Sequence, residues 1–222
     1  MAAVYNVLAG PYADEASVTT ILGSGNNRCL ALLVYQVRSP PNVSGVIPTF
    51  NGVSGHVVAE YALSTRCQQL VYWLDSELPA SGGTYTLSWA GTAGGINASL
   101  LECTGISQTS PVRTYSTNST GVVGSGTSLS ITASTQSGDL MIGAFYQGAA
   151  GSTISGDAGT SAVYASTSVA LFYGIDSGGH TLDLSPVRDG ATQYWTVAAL
   201  ASSSTAQTIT PKSAFYRMLQ NA

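Results

Sequence analysis

The chain has 222 residues, of which 7 are Lys or Arg and 11 are Asp or Glu, giving a formal net charge of −4. Charged residues make up 8% of the chain, against about 25% in an ordinary soluble domain. The basic residues occur singly, which excludes the clustered positive footprint of a nucleic-acid-binding protein, and the lack of a long apolar run predicts no membrane span.

The predicted elements are short β-strands, because apolar residues recur with a period of two and almost nowhere with the helical period. Residues 1–16 lie outside this pattern and are predicted to form an N-terminal arm that carries Tyr5 and Tyr12. Residues 17–204 are predicted to form one antiparallel β-sandwich of jelly-roll type, an all-β fold. Four segments are apolar on both faces and are predicted as interior strands, whose second face a loop or a neighbouring subunit covers: Leu30–Val37, Leu70–Leu74, Leu140–Tyr146 and Val169–Ile175.

Two further segments, Thr84–Trp89 and Ser128–Ala133, alternate between apolar and polar residues, which indicates strands with one buried face. Glycine-rich turn clusters separate the strands, as is typical of sandwiches and barrels. The chain ends with residues 205–222, predicted to form a C-terminal arm that carries Phe215 and Tyr216. Because free chain ends are normally disordered, aromatic residues in both arms predict that the arms lie on neighbouring subunits.

A weak internal repeat relates the two halves of the chain at an offset of about 100 residues. Leu30–Gln36 resembles Leu140–Gln147, and Leu70–Asp75 resembles Leu171–Asp176. Each is followed by a glycine turn, a Thr-Leu strand and an alanine-rich apolar strand. Two such copies suit the two halves of one sandwich, and two tandem immunoglobulin-like domains are the alternative.

The three cysteines, Cys29, Cys67 and Cys103, lie in or beside apolar runs. Their spacing contains no Cys-x-x-Cys pair, so the sequence favours reduced core cysteines over a disulfide framework or a metal site.

Catalytic chemistry has few candidates in this sequence. Hydrolysis of a glycan needs two facing carboxylates, and Glu60 and Glu102 are candidates, together with the pair Asp75 and Glu77. We expect Glu102 to point to solvent or to pair with an arginine, and Asp75 and Glu77 to be turn-forming edge charges. His56 is predicted in a loop, as is His180, and nothing in the spacing selects a dyad with Cys67. The sequence therefore predicts no enzyme, no metal site and no cofactor.

The segment Leu101–Val112 reads as an apolar strand followed by Thr-Gly-Ile and then Gln-Thr-Ser-Pro-Val. It resembles a corner of a β-sandwich family found in tailed-phage virion proteins and bacterial surface proteins. The strand entries Asn27–Leu30 and Ser137–Leu140 match the same pattern, and so does the strand Leu70–Leu74 with its following Pro-x-x-Gly-Gly-Thr. The resemblance covers residues 17–201. It departs at Ser107, where an Asp is common, which removes support for a calcium or hydrogen-bonding role of that Asp.

This resemblance implies a non-enzymatic virion protein of a tailed bacteriophage, either a capsid decoration protein or a tail or fibre subunit. Its expected partners are other virion proteins and copies of itself, and its expected location is the virion after assembly in the host cytoplasm. A carbohydrate-binding module that attaches to host glycans is the alternative, because tyrosine and tryptophan can stack on sugars. A glycan-degrading enzyme is a second rival. Against glycan binding, three tryptophans fall in predicted strands and are expected in the core: Trp73, Trp89 and Trp195.

Overall fold

The computed structural model describes residues 3–13, 17–37, 41, 44–80, 84–88, 96–122, 129–132, 135–147, 160–165, 169–175, 181–184 and 192–203. Within these residues the fold is all-β, as predicted: antiparallel strands are interrupted by one 3₁₀ turn at Asp75–Glu77. The strands of the described residues are β1 (Ala3–Ala13), β2 (Ser17–Ile21), β3 (Cys29–Val37), β4 (Thr49–Phe50), β5 (Val53–Ser54), β6 (His56–Leu63), β7 (Arg66–Leu74), β8 (Thr84–Ser88), β9 (Ile96–Thr104), β10 (Val112–Val122), β11 (Leu129–Thr132), β12 (Leu140–Gln147), β13 (Thr160–Ala165), β14 (Val169–Ile175), β15 (Thr181–Leu184) and β16 (Thr192–Leu200).

The first five-stranded sheet has the order β1-β9-β3-β7-β6. Its central strand β3 is buried from Cys29 to Gln36, and β7 is buried from Cys67 to Trp73. The sequence predicted interior strands in both places, and the structure confirms them. Their apolar residues on both faces are what a strand needs when both faces are covered.

The second five-stranded sheet has the order β10-β16-β12-β14-β13, which repeats the first strand for strand. β12 occupies the place of β3, β14 that of β7 and β16 that of β9. The segments that the sequence repeat pairs therefore lie at the same positions in the two sheets. Each half also has a smaller sheet, β2-β8-β4-β5 in the first half and β11-β15 in the second.

One buried cluster joins the two five-stranded sheets. It contains residues from both, among them Leu33 and Leu101 from the first and Ile142 and Leu171 from the second. Edge strand β6 contacts β10, edge strand β1 contacts β13, and β12 contacts both β3 and β7. Because β6 corresponds to β13 and β1 to β10, these contacts follow a two-fold relation between the halves, like an isologous dimer interface within one chain.

A second buried cluster covers the other face of the first sheet. Leu30, Leu32 and Trp73 from the sheet pack there with Phe50 of β4 and Leu78. The sequence left open whether a loop or a neighbouring subunit covers this face; in the described residues Phe50 of the small sheet covers it, together with Leu22 and Leu78 from the chain's own connecting segments. The core position predicted for tryptophan is confirmed for Trp73 and Trp195, while Trp89 lies outside the described residues.

The segment Ala3–Ala13, predicted to lie outside the β pattern as an arm, is the edge strand β1. It pairs with β9 from Ala3↔Thr104 to Ala13↔Asn97, and its register shifts three times along the way. Such bulges break the alternation of side chains, which is why period-two reasoning missed this strand. Contact of this segment with a neighbouring copy stays a prediction. The predicted C-terminal arm, residues 205–222, lies outside the described residues.

Candidate functional site

Glu102 is fully buried, and the expectation that it points to solvent or pairs with an arginine is wrong. Both of its carboxylate oxygens accept the backbone N–H of Gly23, at 2.9 and 3.1 Å. Alternation along β9 causes this, because Leu101 and Cys103 face the shared core and Glu102 faces the other way, under the segment at Gly23. The carboxylate holds the chain between β2 and β3 against the first sheet.

Glu60 and Glu102 lie too far apart to act as a hydrolytic pair. Across the sheet, Glu60 pairs with Gln69, Gln69 with Val34 of β3, and Val34 with Ala98 of β9. Ala98 precedes Glu102 by four residues along β9. Four residues along a strand and three strand spacings across the sheet place the two backbones about 19 Å apart. Paired carboxyls in glycosidases stand about 5–9.5 Å apart. Glu60 instead accepts hydrogen bonds from Gln69 Nε2 at 2.6 Å and from the Gly45 N–H at 3.2 Å.

Asp75 and Glu77 lie in the 3₁₀ turn after β7, in agreement with the turn-forming role predicted for them. Arg28 donates through Nε to Asp75 Oδ1 at 2.6 Å, and Asp75 N–H donates to Gln108 Oε1 at 3.0 Å. Gln108 Nε2 in turn donates to the carbonyls of Arg28 and Ile106. The motif at Leu101–Val112 therefore supplies a glutamine that joins the turn to the entrance of β3.

His56 is the first residue of β6 rather than a loop residue, and its Nε2 lies 2.5 Å from Glu77 Oε1. Its ring also stacks on Tyr72, with centroids 4.9 Å apart. His56 pairs with Tyr72 whereas Cys67 pairs with Ala62, so the two lie at opposite ends of the β6–β7 hairpin. This placement rules out a catalytic dyad of Cys67 and His56. His180 lies outside the described residues.

All three cysteines are free and buried, as the sequence predicted. Cys29 and Cys103 are direct cross-strand neighbours, and the Cys103 thiol donates to the Cys29 carbonyl at 3.2 Å. The contact with Cys103 and then burial raise the pKa of Cys29. Burial also raises the pKa of Cys67, to about 12. Since the thiolate is the nucleophile, Cys29 and Cys67 are core residues rather than reactive ones, and Cys103 is buried beside Cys29.

An ion pair with a buried carboxylate joins β10 to the segment before β12, within the second half. Asp139, fully buried before β12, accepts Arg113 Nε and Nη2 together with the N–H groups of Gln136 at 2.8 Å and Ser202 at 2.9 Å. Burial acts to raise the pKa of Asp139, but the hydrogen bonds from Arg113 and the two backbone donors outweigh it and hold that pKa below its usual value. The Asp139 carboxylate therefore has a structural role, because it connects β10, the turn before β12 and the segment after β16.

Arg66 differs from these charged groups, because no carboxylate pairs with it among the described residues. Its guanidinium carbon lies 4.4 Å from the ring centroid of Tyr146 and 5.0 Å from that of Tyr194. Arg66 starts β7 of the first sheet, whereas both rings belong to the second sheet. The guanidinium is therefore held by cation–π contacts across the interface, and its buried Nε has no acceptor.

Tyrosine rings fill the space behind Arg66. Tyr35 stacks on Tyr146 with centroids 5.0 Å apart, and Tyr61 contacts Tyr194 at 5.6 Å. Burial, reinforced by Tyr146, raises the pKa of the Tyr35 hydroxyl. Sugar binding would need a ring face open to the ligand, but Tyr146 and Tyr194 are stacked on neighbouring rings and on Arg66. We name Arg66 and these four tyrosines the Arg66 cluster.

Sequence reasoning missed the Arg66 cluster, although the repeat contained one signal of it. Tyr35-Gln36 and Tyr146-Gln147 end the two aligned segments, and in a two-fold arrangement equivalent residues near the axis meet. Arg66 itself carries no local signal, since it follows a turn as one of several single arginines. Its environment depends on which strand of the other half faces it.

The arm residues predicted as interface residues are not brought together by the described part of the structure. Tyr5 and Tyr12 fall in β1, where the backbone alone is described, and Phe215 and Tyr216 lie outside the described residues. In the described residues, no group of three or more potential metal-ligating side chains occurs. No helix found there is long and apolar enough to cross a membrane.

No family model and no curated protein matches the chain.

Proposed function

We propose that this chain is a non-enzymatic structural protein of a tailed-phage virion, a capsid decoration protein or a tail or fibre subunit. The observation that carries the proposal is the use of its carboxylates. Each acidic side chain described, namely Glu60, Asp75, Glu77, Glu102 and Asp139, accepts hydrogen bonds from within the chain. They join strands and loops to one another, as a rigid building block requires.

The proposal includes a jelly-roll arrangement for the first half of the chain. Its two sheets have the strand orders β1-β9-β3-β7-β6 and β2-β8-β4-β5. Odd-numbered strands thus fill most of one sheet, while β2, β8 and β4 lie in the other, so the chain crosses repeatedly between sheets. Such crossing is how two Greek keys make a double-sheet jelly roll, an architecture that occurs in viral capsid proteins. The second half follows the same strand order, which supports an extended β-sandwich built from two related halves.

Low surface charge supports close packing of many copies. A net charge of −4 distributed over 222 residues produces little repulsion between neighbours at physiological ionic strength, where the Debye length is about 8 Å. Exposed apolar side chains, among them Ile21 at 59% and Ile47 at 54%, add surface that a subunit contact can bury.

Mass spectrometry of purified virions tests this function. Tailed phage produced by a host that carries the coding sequence should contain peptides of this chain after gradient purification, at a copy number comparable to that of other structural proteins. Host lysate without phage serves as the control. If the chain is expressed during infection but is absent from purified virions, the proposed function is wrong.

A further inference from the structure

We propose that Cys29 and Cys103 are a latent disulfide: when the folded chain meets a small organic disulfide such as oxidised glutathione, their thiols form a covalent bond between β3 and β9. Cys67 takes no part in this bond. The pairing goes beyond the proposed function and does not depend on it, because strand register alone brings the two cysteines together.

The first observation is the register of the central strands. Cys29 of β3 stands directly opposite Cys103 of β9. Directly opposed residues of antiparallel strands have Cα atoms about 4.5 or 5.5 Å apart, depending on the hydrogen-bonding pattern. Disulfides join Cα atoms about 4.4–6.8 Å apart. Either pattern therefore lets the bond form without sliding one strand along the other.

The two side chains also point to the same side of the first sheet. Both are fully buried in the cluster that the two five-stranded sheets share, and the Cys103 thiol donates to the Cys29 carbonyl at 3.2 Å. Contact with the Cys103 side chain is the first cause of the raised pKa of Cys29. The two sulfur atoms are therefore already neighbours in the reduced protein.

Cys67 is held away from this pair. It lies in the other buried cluster, on the opposite face of the first sheet. Along β7 it pairs with Gln36, at the end of β3 that is far from Cys29. Of the three pairings that three cysteines allow, the fold thus permits the one between Cys29 and Cys103.

Burial explains why the pair stays reduced until an oxidant enters. The attacking species is a thiolate, so the raised pKa of Cys29 and its full burial make attack slow in the closed protein. Cys29 begins β3, and Cys103 is the last residue but one of β9. Strand ends open locally at a lower free energy than the middle of a sheet, and oxidation proceeds through such openings.

The reaction consists of two thiol–disulfide exchanges. One cysteine thiolate attacks a sulfur of the oxidant, which forms a mixed disulfide and releases one small thiol. The thiolate of the other cysteine then attacks the cysteine sulfur of that mixed disulfide, which closes the bond and releases the second small thiol. The protein loses two electrons and two protons, and the oxidant gains both. A reducing cytosol reverses the reaction, so the bond forms where the surroundings are oxidising.

Peptide mapping of the folded wild-type chain after treatment with oxidised glutathione tests the inference. Remaining thiols are alkylated in denaturant, and combined cleavage by trypsin and a glutamyl endopeptidase places the three cysteines in residues 29–38, 67–77 and 103–113. We expect the first and third peptides to be linked, with a mass lower by two hydrogens than their reduced sum. The peptide of Cys67 should be alkylated. Urea below the unfolding transition should speed the reaction, because it favours local opening.

The unfolded chain provides the matched reference. In fully denaturing urea the shorter loops are those that include Cys67, and loop closure favours short loops. Oxidation there should therefore give mainly bonds of Cys67, whereas the folded chain gives the bond between Cys29 and Cys103. Cys67→Ala should form this bond like the wild type, and Cys103→Ala should leave Cys29 free. If Cys103→Ala does not fold, the wild-type map still decides the pairing.

The oxidised protein should also be more stable than the reduced one. The bond joins residues 74 apart in sequence and so restricts the unfolded chain. The thermal midpoint should rise by about 5 °C or more, and dithiothreitol should reverse the rise.

The inference is overturned if the folded wild type keeps three free thiols both with and without urea below the transition. It is also overturned if the bond includes Cys67, if only glutathione adducts accumulate, or if the thermal midpoint does not rise. None of these outcomes bears on the proposed function, which the presence of the chain in purified virions decides.

Discussion

At the scale of single residues, Asp139 shows how this chain uses its few charges. A fully buried carboxylate is tolerated there because Arg113 and two backbone N–H groups satisfy it. Removing the acceptor of buried donors costs about 1–3 kcal/mol, and more where a donor is charged. Glu60 is only partly buried, makes no ion pair with a described residue, and accepts hydrogen bonds from Ser44, Gly45 and Gln69, bonds that contribute about 1 kcal/mol each.

We predict that Asp139→Asn lowers the free energy of unfolding by about 3 kcal/mol at pH 7, measured by urea denaturation. Glu60→Gln is the control, because this carboxylate is partly exposed and unpaired with any described cation, and it should lose about 1 kcal/mol or less. Equal losses in the two variants would contradict the structural role given to burial.

The same residue predicts a pH dependence. The pKa of Asp139 is lower in the folded protein than the value of about 3.9 for an unperturbed aspartate. Its contribution is therefore fully present above about pH 4 and is lost as the pH falls through the folded-state pKa. Between pH 7 and pH 3 the wild type should lose more stability than Asp139→Asn. If the wild type and Asp139→Asn lose the same stability between pH 7 and pH 3, the pKa of Asp139 is not lowered in the folded protein.

At the scale of elements, the pairing of β12 with β14 depends on one glycine. Gly143 stands opposite Phe172, and a Cβ on Gly143 would lie 2.2 Å from the Phe172 ring. The ring is buried and has little room to move. The glycine is therefore required by close approach of a side chain.

Gly143→Ala should cost about 1–3 kcal/mol, the range for overpacking a core, in thermal or urea unfolding. Phe172→Leu removes the clash, so the double variant should be no less stable than Phe172→Leu alone. If the two costs simply add, the contact between these positions is not the cause.

Sequence reasoning at this scale succeeded where a strand is apolar on both faces. β3, β7, β12 and β14 were all placed as interior strands because nothing but burial on two sides explains such segments. It failed for β1, whose bulges break the alternation, and for Glu102, whose partner Gly23 lies 79 residues away. Strand β1 and the surroundings of Glu102 both depend on strand register and on contacts between distant residues, which the local periodicity of a sequence does not show. The Arg66 cluster was missed for the same reason, because its residues come from both five-stranded sheets.

At the scale of the whole molecule, the chain consists of two related halves joined through their five-stranded sheets. The repeat is not perfect at the Arg66 end. Tyr35 of the first half corresponds to Tyr146 of the second half. The cross-strand partner of Tyr146 is Tyr194, whereas the residue in the equivalent place beside Tyr35 is Asn97. The two halves have thus diverged where Arg66 lies, and one end of the molecule carries a surface that the two-fold relation does not duplicate.

The central proposal is that this molecule is a structural building block that assembles through contacts with copies of itself. Sedimentation equilibrium of the intact wild-type chain tests it most directly, because that measurement gives mass independently of shape. The account predicts a mass that rises with concentration toward a multiple of the single-chain mass, and falls back when salt is raised. A single-chain mass at every concentration and salt would contradict it.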